Sequence, residues 1–271
     1  MIAVCPNPYR DIGLEITDKV VGLLNRSGYE TCVCQIFTEN KPQIKDVASD
    51  ISMAVIIGGD GTILSAVGDL YGYDVPILGI NLGTMGFMTA LEPEDIDLVV
   101  NAANNEFDIE YRMMLDVALI RDGKTVYSGS CLNDAVIHGY GDTISISAMT
   151  NECHIIKFDG DGLIISTPTG STGYSMSAGG PIVEPSARAI IISPICAHTL
   201  RARTYVLSPD RIITVDTGRL HDRKAYLSVD GNSVANLSNG DLLQVGVSNH
   251  NVAFIDPGKK TFYEIAYEKL M

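Results

Sequence analysis

At 271 residues the chain is long enough for one large domain or two modest ones with a substantial core. Apolar residues make up 46% and charged residues 19%, which argues against disorder, and no apolar run approaches the ~18 residues of a membrane span. Nineteen Lys and Arg against 33 Asp and Glu leave a net charge of −14, so neither nucleic acid nor a membrane surface is an expected partner. A polyanionic ligand would have to draw on backbone N–H groups, a metal or a few local cations.

The chain opens on a strand-like Ile2-Ala3-Val4-Cys5, without a basic segment followed by a long apolar one, and a cytoplasmic location is expected. Further strands read at 31–37, 54–57 and 77–80. Between the first two, Ile16, Val20 and Leu23 mark a helix stopped at Ser27-Gly28. After Gly61, Ile63, Leu64, Val67 and Leu70 fall on one helical face, and Glu92-Pro93-Glu94-Asp95 opens another helix with proline and acids in its first turn. Strands alternating with helices predict a parallel sheet covered on both faces. The six cysteines (Cys5, Cys32, Cys34, Cys131, Cys153, Cys196) include no C-x-x-C pair and form neither a disulfide framework nor a readable zinc site. Cys32 and Cys34 alternate on one strand face and read as buried free thiols.

From about residue 108 the period changes to two. Asp122-Gly123 lies between Val117-Ala118-Leu119-Ile120 and Val126-Tyr127 as a hairpin turn, and Ile144, Ile146 and Ala148 alternate with serines. Strands follow at 132–137, 154–158, 163–166, 189–192, 212–215, 225–229 and 242–247, with one helix after Gly173. The expected architecture is an α/β N-terminal domain with a Rossmann-like parallel sheet (1–107) and a β-rich, sandwich-like C-terminal domain (108–255). Residues 256–271 are placed against the first domain or left free; periodicity does not decide.

Three blocks carry chemistry. Gly58-Gly59-Asp60-Gly61-Thr62 sits between a buried strand and a helix, a turn whose free N–H groups suit an anion. A carboxylate beside a phosphate is repulsive unless it meets a cation or takes a proton, so Asp60 points to phosphoryl transfer; the plainer alternative is a tight turn with Asp as helix cap. Neither a Walker A lysine nor a G-x-G-x-x-G spacing is present. Residues 161–181 run from an apolar strand into packed hydroxyls and glycines, suited to a ligand rich in ribose and phosphate oxygens, with Tyr174 offering a flat face for a base. Asn133-Asp134 sets an amide and a carboxylate at consecutive positions, either to hold a ribose and an adenine edge or simply to turn the end of a strand.

In this order the blocks resemble the NAD kinase family, ATP-dependent enzymes that phosphorylate the 2′-hydroxyl of the adenosine ribose of NAD. Supporting matches are Asn81-Leu82-Gly83-Thr84-Met85-Gly86-Phe87, Arg112-Met113-Met114-Leu115, and His198 with Leu200 and Arg203. The resemblance runs from Asn7-Pro8 to Asp230-Gly231, and its weight rests on 133–134 and 161–181, because other kinases share the GGDGT turn. It implies Asp60 as catalytic base, with Gly58, Gly59, Gly61 and Thr62 as the phosphate loop. Asn133 and Asp134 are implied to hold the adenosine of NAD, and Thr172, Gly173, Tyr174 and Ser177 to line its pocket. Asp161 is implied at the nicotinamide end and Phe87 beside an adenine. ATP and NAD are the implied substrates, magnesium the implied divalent cation, and a homodimer or homotetramer the implied assembly, with the segment from Ile195 to His198 near a neighbour's site. Asp134 stands where many members have glutamate, Gly173 where alanine is common and Thr204 where proline is usual. His138, His198 and His221 receive no role. A lipid or sugar kinase sharing the GGDGT turn, or a dinucleotide sensor without catalysis, are the competing expectations.

Overall fold

Three runs in the N-terminal part of the chain are apolar at almost every position, and each becomes a strand buried along its whole length, as a parallel sheet covered on both faces requires. They are β1 (Ile2–Pro6) and, after a shorter β2 (Thr31–Val33), β3 (Met53–Gly58) and β4 (Ile77–Asn81). The computed structural model describes residues 1–35, 43–84, 86–150, 153–218, 220 and 222–270. It divides the chain into two units, Met1–Arg112 with Val252–Met271, and Met113–Asn251.

In the first unit β2, β1, β3 and β4 lie side by side and parallel, with Ile2 opposite both Thr31 and Met53, and Ala54 opposite Ile77. Helix α1 (Glu15–Arg26) turns Val20 and Leu24 onto one face, where Val4, Val55, Ile57, Leu78 and Ile80 meet them. After the short α2 (Ile44–Val47), α3 (Asp60–Leu70) buries Thr62, Ile63, Ala66, Val67 and Leu70. The helix expected after Glu92 is instead a 3-10 turn, Pro93–Leu98, running into a five-residue α4 (Val99–Ala103). It adds Val99 and Ala102 to the same core as α1. Helix α3 also begins earlier than its apolar periodicity suggests. Gly59 is fully extended at φ −120° and ψ −173°, so the chain enters the helix at Asp60, and Asp60, Gly61 and Thr62 form its first turn. Of the expected strand 31–37, residues 36 and 37 lie outside the described residues.

The second unit is a pair of antiparallel layers. Its strands are β5 (Asp108–Arg121, entering from the first unit), β6 (Lys124–Cys131), β7 (Asp134–Gly139), β8 (Ile144–Thr150), β9 (Cys153–Gly160) and β10 (Gly162–Ser166). A single helical turn, α5 (Tyr174–Ser177), then precedes β11 (Ile190–Ile195), β12 (Tyr205–Leu207), β13 (Ile213–Asp216), β14 (Ala225–Val229), β15 (Asn232–Asn236) and β16 (Leu242–Asp256). One layer is six-stranded, in the order β12-β11-β10-β7-β14-β15. The other contains β16, β13, β8 and β9 side by side, and the hairpin of β5 and β6 turns at Asp122-Gly123 with φ of 49° and 73°. Alternating side chains from both layers interdigitate, among them Leu115, Val117, Ile144, Ile146, Ile213 and Val245 against Ala135, Ile137, Leu163, Ile165, Ile192 and Leu227.

Strand β10 is buried on both sides, and this places the hydroxyl-rich segment. Leu163 and Ile165 face the inter-layer core, whereas Ile164 joins Val136 and Ile195 on the opposite face, beneath Ala178. Residues 167–181 are therefore laid across the outside of the six-stranded layer. Phe254, near the end of β16, pairs with Ile77 of β4 in the first unit, and α6 (Phe262–Leu270) packs Phe262 on Phe87, ring centroids 6.1 Å apart. No helix among the described residues is long and apolar enough to cross a membrane.

Candidate active site

At the C-terminal ends of the parallel strands, where open α/β sheets bind ligands, three loops of the first unit converge. Asn7, following β1, donates from Nδ2 to Thr62 Oγ1 at 3.0 Å, which ties the first loop to the first turn of α3. Asp60, at the start of α3, accepts no hydrogen bond from its own helix. Its two oxygens take the backbone N–H groups of Phe87 (2.9 Å) and Met88 (3.1 Å) from the loop after β4. The helix-cap alternative for Asp60 therefore does not describe this carboxylate. Gly86 permits the approach, since a Cβ there would collide with the Asp60 carboxylate. The Phe87 carbonyl in turn accepts from Arg112 Nη1 at 3.1 Å, and the buried Arg112 pairs with Glu110 at 2.9 Å and lies over the Phe254 ring. This chain of contacts fixes the loop that fixes Asp60.

In the second unit the corresponding groups come from the β6–β7 corner and the segment after β10. Asp134 begins β7, while Asn133 lies just before it in the bend, so the pair straddles a strand end. Ser166 is directly opposite Asp134 in the antiparallel register and shares its face. Asp134 is 6% exposed. Burial, and secondarily the charge of Asp230, push its carboxyl up to about 7. Thr167 Oγ1 donates to Leu132 O at 2.5 Å and receives Gly170 N–H at 3.0 Å, which stitches the hydroxyl-rich turn to the corner. Gly170 lies so close to the Asn133 carbonyl that a side chain there would displace it. Asn133 Oδ1, Ser166 Oγ and Thr169 Oγ1 are buried without a hydrogen-bond partner among the described residues. Such atoms are costly unless a ligand or solvent satisfies them.

Tyr174 is 40% exposed and stands nearly parallel to His138, at 12° and 6.4 Å between centroids. Its hydroxyl meets His138 Nε2 at 3.1 Å, and His138 Nδ1 meets Gly139 O at 2.8 Å. A ring N–H at Nδ1 leaves Nε2 to accept from the tyrosine. Tyr226 also stacks with His138, ring centroids 5.8 Å apart. Sequence reading gave His138 no role, yet it holds the flat face that Tyr174 presents.

The remaining expected residues fall as follows. Gly58, Gly59, Gly61 and Thr62 surround the start of α3, with Thr62 buried. Thr172 donates to Thr169 O at 3.2 Å; Gly173 leads into α5; Ser177 is exposed on its last residue. Asp161 lies at the β9–β10 corner beside the exposed Cys196, whose thiol it pushes up. The Phe87 ring, expected beside an adenine, is 6% exposed, with Phe262 on it and Lys269 Nζ 4.4 Å from its centroid. Here it is the main chain of Phe87 that reaches Asp60. Met85 and His221 lie outside the described residues. Cys34 is buried but Cys32 only half so, with their sulfurs 3.7 Å apart; all six cysteines are free. Sequence reading did not single out the functions of Gly86, Arg112 and His138. Their signals are three-dimensional: a close approach, a carbonyl contact and a ring stack.

Among the described residues no group of three or more His, Cys, Asp or Glu side chains is arranged to hold a metal ion. The carboxylate of the glycine turn is that of Asp60, a hard oxygen donor of the kind divalent cations take.

Sequence profiles described as the ATP-NAD kinase N-terminal and C-terminal domains match residues 30–107 and 132–256. An NAD kinase of Ruminiclostridium cellulolyticum is 35% identical, over 99% of this chain and 97% of its own. One from Trichlorobacter lovleyi is 39% identical over 84% and 80%. Among solved structures, an NAD kinase from Archaeoglobus fulgidus in complex with ATP superposes with a TM-score of 0.79 at 26% identity, covering 98% of each chain. A yeast NADH kinase complexed with NADH superposes with a TM-score of 0.87 at 24% identity, over 99% of this chain and 86% of that one, a likeness of fold.

Proposed function

This chain belongs to the ATP-NAD kinase family, and on that premise we propose that it transfers the γ-phosphate of ATP to the 2′-hydroxyl of the adenosine ribose of NAD, with Asp60 as the base. The observation that carries the assignment of Asp60 is its carboxylate, placed in a glycine turn and held by two N–H groups of another loop, so that its geometry is independent of its own helix. Each oxygen keeps a lone pair for a further partner.

In the proposed reaction the ribose 2′-oxygen attacks the γ-phosphorus as its proton passes to Asp60. The bond from the γ-phosphorus to the bridging oxygen breaks, and ADP leaves with that electron pair. Gly58, Gly59, Gly61 and Thr62 form the phosphate loop; the Thr62 N–H goes to Gly59 O at 2.8 Å and the Gly59 N–H to Thr62 Oγ1 at 3.4 Å, so the first-turn N–H groups of Asp60 and Gly61 are the ones that meet the phosphates. A divalent cation, magnesium, neutralises charge on the triphosphate when bound. On the acceptor side, Asp134 and the Asn133 amide take the hydroxyls and base edge of the adenosine. Ser166 and Thr169 supply further hydrogen bonds from atoms that have no partner among the described residues. Thr172, Gly173, Tyr174 and Ser177 form the wall, with Asp161 towards the nicotinamide. For Phe87 the proposed contribution is its backbone N–H to Asp60.

The test is direct. Incubation with ATP, magnesium and NAD is expected to yield NADP and ADP in equal amounts, and excess EDTA to stop it. Unchanged activity in EDTA contradicts the metal requirement, and phosphorylation of a lipid or sugar with no NADP contradicts the substrate. The family also carries the expectation of a cytoplasmic enzyme that is a homodimer or homotetramer; sedimentation showing only monomer contradicts that assembly.

A further inference from the structure

The N–H groups of Leu132, Asn133 and Asp134 leave the β6–β7 corner in succession, and all three end on one carboxylate. Asp230 takes Leu132 N–H on Oδ2 at 2.9 Å, and Asn133 and Asp134 N–H on Oδ1 at 2.7 and 3.2 Å. Its own N–H returns a bond to Asp134 O at 3.0 Å. The sheet register explains why this residue reaches that corner. Val229 of β14 is opposite Ala135 of β7, so the next residue in the chain stands beside Asp134. Asp230 and Gly231 form the two-residue turn into β15, with φ of 46° and 79°, the left-handed pair that a tight hairpin of this hand requires. An Asp at its first position keeps its main chain in the turn and frees its carboxylate for the neighbouring corner.

We propose that Asp230 is a positioning residue of the NAD site: by gathering these three N–H groups it sets the corner from which the Asn133 amide and the Asp134 carboxylate reach the ligand. This rests on the reading that Asn133 and Asp134 hold the adenosine of NAD. A neutral residue could staple the corner in part, but one feature distinguishes a charged one. The two carboxylates share a poorly solvated corner, and Asp230 opposes ionisation of Asp134, adding to the effect of burial. Among the described residues, the groups whose ionisation this pair opposes are Cys131 on β6, Tyr174 on α5 and Tyr127 on β6. All three are neutral thiols or phenols around neutral pH, so the charge that bears on Asp134 is that of Asp230. Ionised Asp134 can accept on both oxygens, from the 3′-hydroxyl beside the reacting 2′-position and from a further donor of the ligand, whereas its protonated form must donate from one of them. NAD affinity should therefore rise as pH rises through about 7.

The experiment is calorimetric titration of NAD into the full chain from about pH 5.5 to about pH 9, for the parent, Asp134→Asn, Asp230→Asn and Asp230→Glu, with circular dichroism as the check on folding. The parent should show tighter binding above a break near pH 7, and Asp134→Asn should remove that break. Asp230→Asn should bind about tenfold or more weakly at the alkaline end, since one amide oxygen replaces two charged acceptors, and its break should move to lower pH. Asp230→Glu keeps the charge but changes the reach; it should lose affinity with the break near its parental place, and it decides the matter if Asp230→Asn does not fold. Parental affinity in both Asp230 variants, or an unmoved break in folded Asp230→Asn, overturns the proposal. Equal affinity of Asp134→Asn and the parent at every pH overturns instead the reading on which it rests, whatever the Asp230 variants do.

Discussion

The two units arrange their polar groups from opposite materials. In the first, the polar work is done mostly by main chain: a glycine turn, the start of α3 and the N–H groups of Phe87 and Met88 around a single carboxylate. In the second it is done by side chains, with Asn133, Asp134, Ser166, Thr169 and Tyr174 arranged on one layer of a sandwich. Main-chain donors are fixed by the fold and suit charge that develops on phosphate, which is the same in every substrate. Side-chain acceptors and hydroxyls discriminate, because a buried group left unpaired costs the wrong ligand its affinity. Under the proposed function, chemistry falls to the first unit and recognition to the second.

The largest effect is expected where chemistry rests on one atom group. Asp60→Asn keeps the shape of the turn but cannot accept the proton of the 2′-hydroxyl, and its turnover should fall by about 10²- to 10⁴-fold. Calorimetry of ATP with magnesium then separates two roles. Retained nucleotide binding supports a base, and weakened metal-dependent binding supports a metal ligand. Turnover near the parental value removes Asp60 from the chemistry.

Gly86→Ala should act on the same step from a distance, since the new methyl displaces the carboxylate from its two N–H partners. A misplacement of this kind costs about 10²-fold in rate while NAD affinity holds. A fall in NAD affinity with unchanged turnover would reverse the assignment of the two units.

On the recognition side, Asp134→Ala should weaken NAD binding by roughly 5- to 150-fold, equivalent to about 1–3 kcal/mol. Its effect on stability has the opposite sign. The folded carboxyl is raised to about 7 from its ordinary 3.8. Between those values the folded state holds a proton that the unfolded chain releases, so stability is present at the acid end and is lost as pH rises through this window. Asp134→Asn should flatten that loss, melting closer to the parent at about pH 5 and above it at about pH 8. Thermal melts that stay parallel at both pH values contradict the raised carboxyl. The smallest effect is expected for Tyr174→Phe, which removes the hydroxyl bond to His138 and keeps the ring; NAD affinity should fall by about 5-fold.

How much of this was legible in the sequence depends on the distance over which each feature is encoded. The buried strands β1, β3 and β4 announce themselves as apolar runs, and the Asp122-Gly123 hairpin by its turn residues, because those signals are local. Strands β12 and β15 lie at the two edges of their layer and are exposed or half-buried; β12 is an apolar run of only three residues and β15 is largely polar, so neither carries a readable alternation. The break of the 93–103 helix into a 3-10 turn and a short α-helix is likewise set by packing against α1. In the candidate site, the types of residue at 58–62, 133–134 and 161–181 carry the resemblance on which the proposed chemistry rests. Their partners did not: Phe87 and Met88 are 27 and 28 residues from Asp60, and Asp230 is 96 to 98 from the N–H groups it gathers. A hydrogen bond across such a span is a product of the fold, and no local pattern carries it.

The division between chemistry and recognition is tested most directly by the rate of a single turnover at saturating ATP, magnesium and NAD, measured for Asp60→Asn and Asp134→Ala against the parent. Saturation removes differences in affinity and leaves the transfer step. The account predicts a loss of about 10²-fold or more for Asp60→Asn and a rate within a few-fold of the parent for Asp134→Ala. Equal losses in the two variants, or a nearly parental rate in Asp60→Asn, would contradict it.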